Sequence, residues 1–283
     1  MIDKKTANGY YTTKFESIYA LGRYVESIKN DPRTLGREST DGGYKPDFYG
    51  RWPMDKAIQC ALNGGDWEEG AKKLPTIDVK HERISGQAFD TPQLSADIQG
   101  FAPNVPAYLA GTPDSMLNFI DAPDGDKLLR VAVHVGRQAG VTQKQALNRG
   151  AAIMAVLDQL SREGYAIELT AIWRNTCTHN NAKVSIETVI KPSNALWAPE
   201  SVAFALAHVA FQRRLIWRTA ESLKHSARIS EHAYGHGCDA SFSDYDLSYG
   251  YMAPESCWDT PKKATDYIKK LTMPQLSKLN GRA

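Results

Sequence analysis

The sequence predicts an α/β protein, with a partly parallel sheet built on a βαβ crossover and flanked by helices, a helical N-terminal segment before it and an irregular C-terminal tail after it. Three observations carry this. KLLRVAVHV (127–135) is a near-continuous apolar run of strand length, and YAIELTAIW (165–173) is a second one. The pattern ALNRGAAIMAVLDQLSREG between them is helical, with apolar residues at 147, 151, 153, 154, 157 and 160. Two buried-looking strands joined through a helix imply a parallel pair with a right-handed crossover. Finally, AKVSIETVIK alternates at Val184, Ile186, Thr188 and Ile190 and adds a third strand.

The remaining elements follow in order. KFESIYALGRYVESI (14–28) spaces Phe15, Ile18, Tyr19, Leu21, Val25 and Ile28 as an amphipathic helix, which KNDPR stops with proline. TLGRESTDGGYKPDFYG reads as a Gly-rich loop. RWPMDKAIQCALNGGDWEEGAKKL resumes as two short helices, with Pro53 near the start and Gly64–Gly65 between them. Prolines at 75, 92, 103, 106, 113 and 123 make the stretch to residue 125 irregular, with a hairpin in it. Thr142 is placed as the N-cap of the crossover helix and Gly164 as its stop. APESVAFALAHVAFQRRLIWRTAESLK, opened by Pro199, reads as one long helix across the sheet. Residues 229–258 are loop, TPKKATDYIKKL is a short helix, and MPQLSKLNGRA frays. The segments 1–125, 126–228 and 229–283 are thus a helical and irregular part, an α/β core and a loop-rich basic tail, within one compact domain.

Composition narrows the function classes. A chain of 283 residues, 42% hydrophobic and 23% charged, buries a core of its own. The net charge of +2 gives no whole-molecule field toward nucleic acid or an anionic membrane, so any basic site is local. Cys60, Cys177, Cys238 and Cys257 show no CxxC spacing and read as reduced thiols. MIDKKTANGYY is charged where a signal peptide is apolar, and no run approaches a membrane span. The expectation is a protein of the cytoplasm with no membrane partner.

The loop GRQAGVT after the first core strand contains no carboxylate, which argues against Mg²⁺ or Ca²⁺ there. It offers glycines, a helix N-terminus, Arg137 and Lys144, which suit a phosphate, beside the plainer reading of a simple connection. His232, His236 and Cys238, with Cys177 and His179 elsewhere, are zinc-ligand types whose spacing matches no common finger. Nucleophile elbow, Walker loop and HExxH are all missing from the sequence. No catalytic residue, metal or cofactor is expected, and a metal-dependent enzyme built on the His232, His236 and Cys238 set stands as an alternative. The strongest feature is QRRLIWRTAESLKHSAR (212–228). It interleaves Arg213, Arg214, Arg218, Lys224 and Arg228 with Phe211, Trp217 and His225 against Glu221 alone. Arg214 and Arg218 share one helix face, as do Arg213 and Trp217. With the arginines in solvent and Phe204, Val209, Phe211 and Leu215 inward, that face suits single-stranded nucleic acid. A solvated face without a ligand is the plain alternative. Arg149, Arg174 and the tail residues Lys262, Lys263, Lys269, Lys270, Lys278 and Arg282 extend the candidate set.

The strand–loop–helix from Leu128 has the order of elements of von Willebrand factor A-type folds, where the loop bears an Asp-x-Ser-x-Ser metal site; here it reads His134-Val135-Gly136-Arg137-Gln138. That likeness implies, as an alternative function, an interaction scaffold without a metal. Four motifs, FYGRWPMDKAIQCALNGGDWEEGAKKL, IQGFAPNVPAYLAGTPDSML, RVAVHVGRQAGVT and RGAAIMAVLDQLSREGYAIEL, together resemble a phage family also seen in bacteria. The chain is also similar to the phage single-stranded-DNA-binding RNA polymerase cofactors typified by Drc. That resemblance implies a non-OB fold, binding to melted middle promoters, and single-stranded DNA, the phage RNA polymerase and further copies of the chain as partners, in the host cytoplasm.

Overall fold

The computed structural model describes residues 3–5, 10–32, 39–40, 46–74, 94–97, 102–103, 105–109, 111, 115–119, 127–138, 140–176, 183–223, 242, 244–253 and 255–280. In chain order the N-terminal elements are β1 (Asp3–Lys5), β2 (Tyr10–Phe15), α1 (Ile18–Ser27), α2 (Met54–Leu62) and α3 (Glu68–Lys73). A small unit follows, with β3 (Leu94–Asp97), β4 (Ala102–Pro103), α4 (Val105–Leu109) and β5 (Met116–Phe119), its strands ordered β3-β5-β4. The core comprises β6 (Lys127–His134), α5 (Gln143–Arg162), β7 (Tyr165–Thr176), β8 (Lys183–Lys191), α6 (Pro199–Ala207), α7 (Trp217–Ser222), β9 (Leu247–Tyr249) and α8 (Pro261–Asn280).

The main sheet has the order β1-β2-β8-β7-β6-β9. Parallel pairing joins β6 to β7, β6 to β9 and β2 to β8, while β7–β8 and β1–β2 are antiparallel. The fold is therefore the expected mixed α/β arrangement, with α5 as the crossover between β6 and β7. Thr142 caps α5 through a full capping box with Gln145. Three strands of this sheet are additions: β1 and β2 at one edge, and at the other β9, which lies inside the stretch 229–258 read from the sequence as loop and pairs with β6. YYTTKF forms β2 beside β8, and Ser17 caps α1, so Phe15 belongs to a strand and not to the helix whose period it happens to match.

Alternation gives the sheet two different faces. Leu129, Val131, Val133, Ile167, Leu169, Ala171, Trp173, Val184 and Ile186 point into the main core with α1, α2, α5 and α6. The opposite face places Ala132 and Ile172 under Phe242 and Tyr245. Beside them on that face stands a polar group around Arg174 and Glu187.

Two helices differ from expectation. The long helix predicted over 198–224 breaks at His208, whose backbone is extended and whose Nδ1 accepts the Ala210 N–H at 3.0 Å. That side chain acts as a new cap, and the helix restarts as a π-turn, Phe211–Ile216, before α7. At the C-terminus one helix, α8, runs from Pro261 through Pro274 to Asn280, where a short helix and a frayed end are expected from the sequence. Ile268, Thr272 and Leu276 are buried along it. The Tyr249 and Thr272 hydroxyls bond each other at 2.8 Å, and Gln275 Oε1 accepts the Ser248 N–H of β9, so packing holds the helix past its proline.

Helix α1 lies close on α2. A Cβ on Gly22 would stand 2.8 Å from Ala61 Cβ and 3.1 Å from the Ala61 backbone. Gly22→Leu is expected to lower stability by about 1–3 kcal/mol in denaturant unfolding despite its better helix propensity, because backbone cannot yield as a flexible side chain does. An unchanged midpoint would show that α1 can shift without cost.

Candidate functional site

The predicted basic face is not on the surface. Arg213 is 7% exposed, Arg214 6%, Arg218 1% and Trp217 3%. Each guanidinium donates to backbone carbonyls of the N-terminal segment: Arg213 to Phe48, Arg214 to Trp52, Ser39 and Thr40, and Arg218 to Ile28 and Lys29. The Phe48 ring lies 3.8 Å under Arg213 and the Tyr49 ring 3.5 Å under Arg214. The expectation that these arginines face solvent is thus corrected, and Trp217 is a core residue beside Phe48. The physical reason is that the five fixed N–H donors of a guanidinium can serve several converging backbone carbonyls at once. A sequence signal was present: SVAFALAHVAF is apolar all round, which marks a buried helix and not an amphipathic one. Lys224 and Arg228 lie outside the described residues.

FYGRWP is the other half of this arrangement. Gly50 and Arg51 both adopt left-handed backbone, with φ of 64° and 62°. A Cβ at Gly50 would approach Val209 Cγ2 to 2.8 Å, so the turn needs glycine there. Trp52 then packs on His208 at 4.0 Å between ring centroids, with Trp67 edge-on to the same imidazole at 4.5 Å.

The loop GRQAGVT is closed by its own bonds. Gln138 N–H donates to Met252 O, Val141 N–H to Gln138 O, and Thr142 N–H to Gln145 Oε1. Those donors are what a phosphate would have needed. Arg137 is buried and donates to Ala207 O at 2.8 Å, while Arg149 donates to His134 O and Gly250 O. Burial, with Arg213 and Arg149 nearby, pushes the Arg137 guanidinium down to about 9, and burial lowers Arg149 to about 10. Neither side chain reaches solvent as a phosphate contact requires; Lys144 does.

Arg174 is buried on the second sheet face. It lies 3.5 Å from Glu187, donates to Ser185 Oγ and stacks on Tyr10 and Phe242. Glu187 also accepts from Tyr245 Oη and pairs with Lys14 at 2.9 Å. This arrangement satisfies the carboxylate internally.

What remains exposed is lysine on α8. Lys262, Lys263, Lys270 and Lys278 are exposed and Lys269 is half-buried, and none of the five forms an ion pair among the described residues. Asp266 is the one acidic residue between Pro261 and Asn280, so the helix carries net +4 from five Lys and one Asp while the whole chain carries +2. Twenty residues of helix span about 30 Å. Lys144 is adjacent, because Gln145 Nε2 donates to Asp259 Oδ1 and Asn148 donates to Trp258 O.

His232, His236, Cys238, Cys177 and His179 lie outside the described residues, and among the described residues no three His, Cys, Asp or Glu side chains group as metal ligands. Cys60 is buried, its thiol pushed up to about 12 chiefly by that burial. No described helix is long and apolar enough to cross a membrane.

The buried arginines and histidines each set an expected outcome. Arg214→Met is expected to cost at least about 1–3 kcal/mol, since it strands buried carbonyls, and Trp217→Ala about 3–5 kcal/mol; unfolding curves matching the wild type would return these side chains to a solvated face. Acid should also destabilise the fold. Burial pushes His134 down to about 4 and His208 down to about 3, against an ordinary value of 6.5, so both imidazoles are neutral when folded and protonate when unfolded. Stability is full above pH 6.5 and falls as pH drops from there toward 4, by up to about 1.4 kcal/mol per pH unit for each residue. Melting temperatures that stay flat over that window in the wild type, or slope equally in His134→Gln and His208→Gln variants, would refute it.

No curated protein and no solved structure matches this chain. A family model described as a domain of unknown function, DUF7192, matches residues 3–275. That match covers nearly the whole sequence, small unit, sheet and α8 alike, and the chain accordingly belongs to the DUF7192 family.

Proposed function

We propose that this protein is a non-enzymatic binder of single-stranded DNA, with the exposed face of α8 as its backbone-tracking surface. The supporting observation is the concentration of charge. Five lysines, without ion pairs among the described residues, stand along one helix of a chain whose remainder is net negative. Ammonium groups spaced along about 30 Å suit a run of phosphates and gain affinity by counterion release. Preference for single strands draws on the resemblance of the chain to the phage polymerase cofactors, and action as a transcription cofactor that recruits a phage RNA polymerase to melted middle promoters draws on the same resemblance.

The test is fluorescence anisotropy with labelled oligo-dT and a duplex of equal length across a salt series. The wild type should bind the single strand more tightly, with log K falling linearly in log salt. Lys263→Glu, Lys270→Glu and Lys278→Glu together should fold normally and reduce the salt slope by about 0.7 for each phosphate no longer neutralised. Equal or tighter duplex binding would refute strand preference, and wild-type affinity in the triple variant would refute α8 as the surface.

A further inference from the structure

The rim joining the FYGRWP turn to the start of α8 is continuous through contacts between neighbouring groups. Trp52 stacks on His208; Ala207 O, one residue before, accepts from both Arg137 and Gln143 Nε2; Lys144 follows Gln143; and Gln145 reaches Asp259, just ahead of Lys262 and Lys263. Gln138, Gly140, Thr142, Gln143, Lys144, Lys262 and Lys263 are exposed along this line, over the buried His208, Ala207 and Arg137.

We infer that Trp52 is a base-stacking platform at one end of this rim, and that a single strand bound on α8 continues across Lys144 to place a base on the indole. The inference rests on the reading of α8 as a nucleic-acid surface. Trp52 is half-buried, and its inner side is held by two buried rings, His208 at 4.0 Å and Phe204 at 5.8 Å with an interplanar angle of 26°. The exposed Lys56 ammonium stands 4.6 Å from the ring centroid. It forms no ion pair among the described residues, so it can leave the ring for a phosphate when a base arrives. A ring held by His208, Phe204 and, edge-on, Trp67 loses little entropy on stacking. Of the carboxylates nearby, Asp47 pairs with Arg51, Asp55 with Lys29 and Glu69 with Lys73, and Asp259 accepts from Gln145, while Lys56, Lys144, Lys262 and Lys263 line the track.

The experiment compares two probes on the full chain: oligo-dT of about 15 nucleotides and an abasic deoxyribose-phosphate oligomer of equal length. Trp52→Ala should weaken oligo-dT binding about 10- to 100-fold and leave the abasic probe within about twofold, while Trp52→Phe, which preserves the packing on His208, should retain most of the affinity. The gap between dT and abasic affinity should close in Trp52→Ala. Unchanged dT affinity in Trp52→Ala, or an equal loss on both probes, overturns the stacking role; if Trp52→Ala does not fold, Trp52→Phe and Trp52→Leu decide, since a platform requires Phe to bind dT far better than Leu at that position. A wild type that binds neither probe removes both this inference and the α8 reading, whereas wild-type binding with an indifferent Trp52 removes this inference alone.

Discussion

The structure depends on one kind of interaction: guanidinium groups buried against the backbone carbonyls of a distant segment. Ile28, Lys29, Ser39, Thr40, Phe48 and Trp52 all present carbonyls to Arg213, Arg214 or Arg218. These carbonyls come from the end of α1, from a short 3-10 turn over Pro46–Tyr49 and from irregular backbone, and of them Ile28 O also accepts the Asp31 N–H. Glu221, a turn away on α7, takes the Ser39 N–H and hydroxyl and offsets part of the buried positive charge. Charge-assisted bonds of this kind are strong when complete and costly when one partner is removed, so the N-terminal segment and the π-turn stand or fall together.

This arrangement divides between two tasks the basic residues that the sequence offers for nucleic acid; elsewhere Arg51, Arg130 and Arg162 are exposed and Lys191 is buried. Arg137, Arg149, Arg174, Arg213, Arg214 and Arg218 are all at most 7% exposed and bond within the protein. Lysines take the surface, on α8 and at the start of α5. The division follows side-chain chemistry, because a planar fork with several donors can be desolvated against carbonyls and rings, whereas an ammonium is held in water by its hydration.

The sheet is equally asymmetric. Its inner face is aliphatic and packs the helices; its outer face carries Arg174, Glu187, Ser185 and His134, sealed in part by Phe242 and Tyr245. His134 lies between these layers and the rim, with Nδ1 accepting the Gly136 N–H and Nε2 between the backbone groups of Arg174. Its neutral form is therefore built into the turn that leads to Arg137.

The sequence by itself determined the α/β core. Strands β6, β7 and β8, the crossover helix and its Thr142 cap are set by local period and capping chemistry, and these survive because neighbouring residues suffice to specify them. It also offered the C-terminal lysines as available charge, but their alignment on one continuous helix, with Ile268, Thr272 and Leu276 buried along it, is the work of packing. Tertiary structure decided the rest. Whether QRRLIWR faces solvent cannot be read from its own spacing, because the groups that satisfy it come from residues 28–52, more than 160 positions away. The break at His208 and the pairing of FYGRWP with the π-turn depend on the same long-range meeting, in which a side chain's surroundings, and not its polarity, fix whether it is buried.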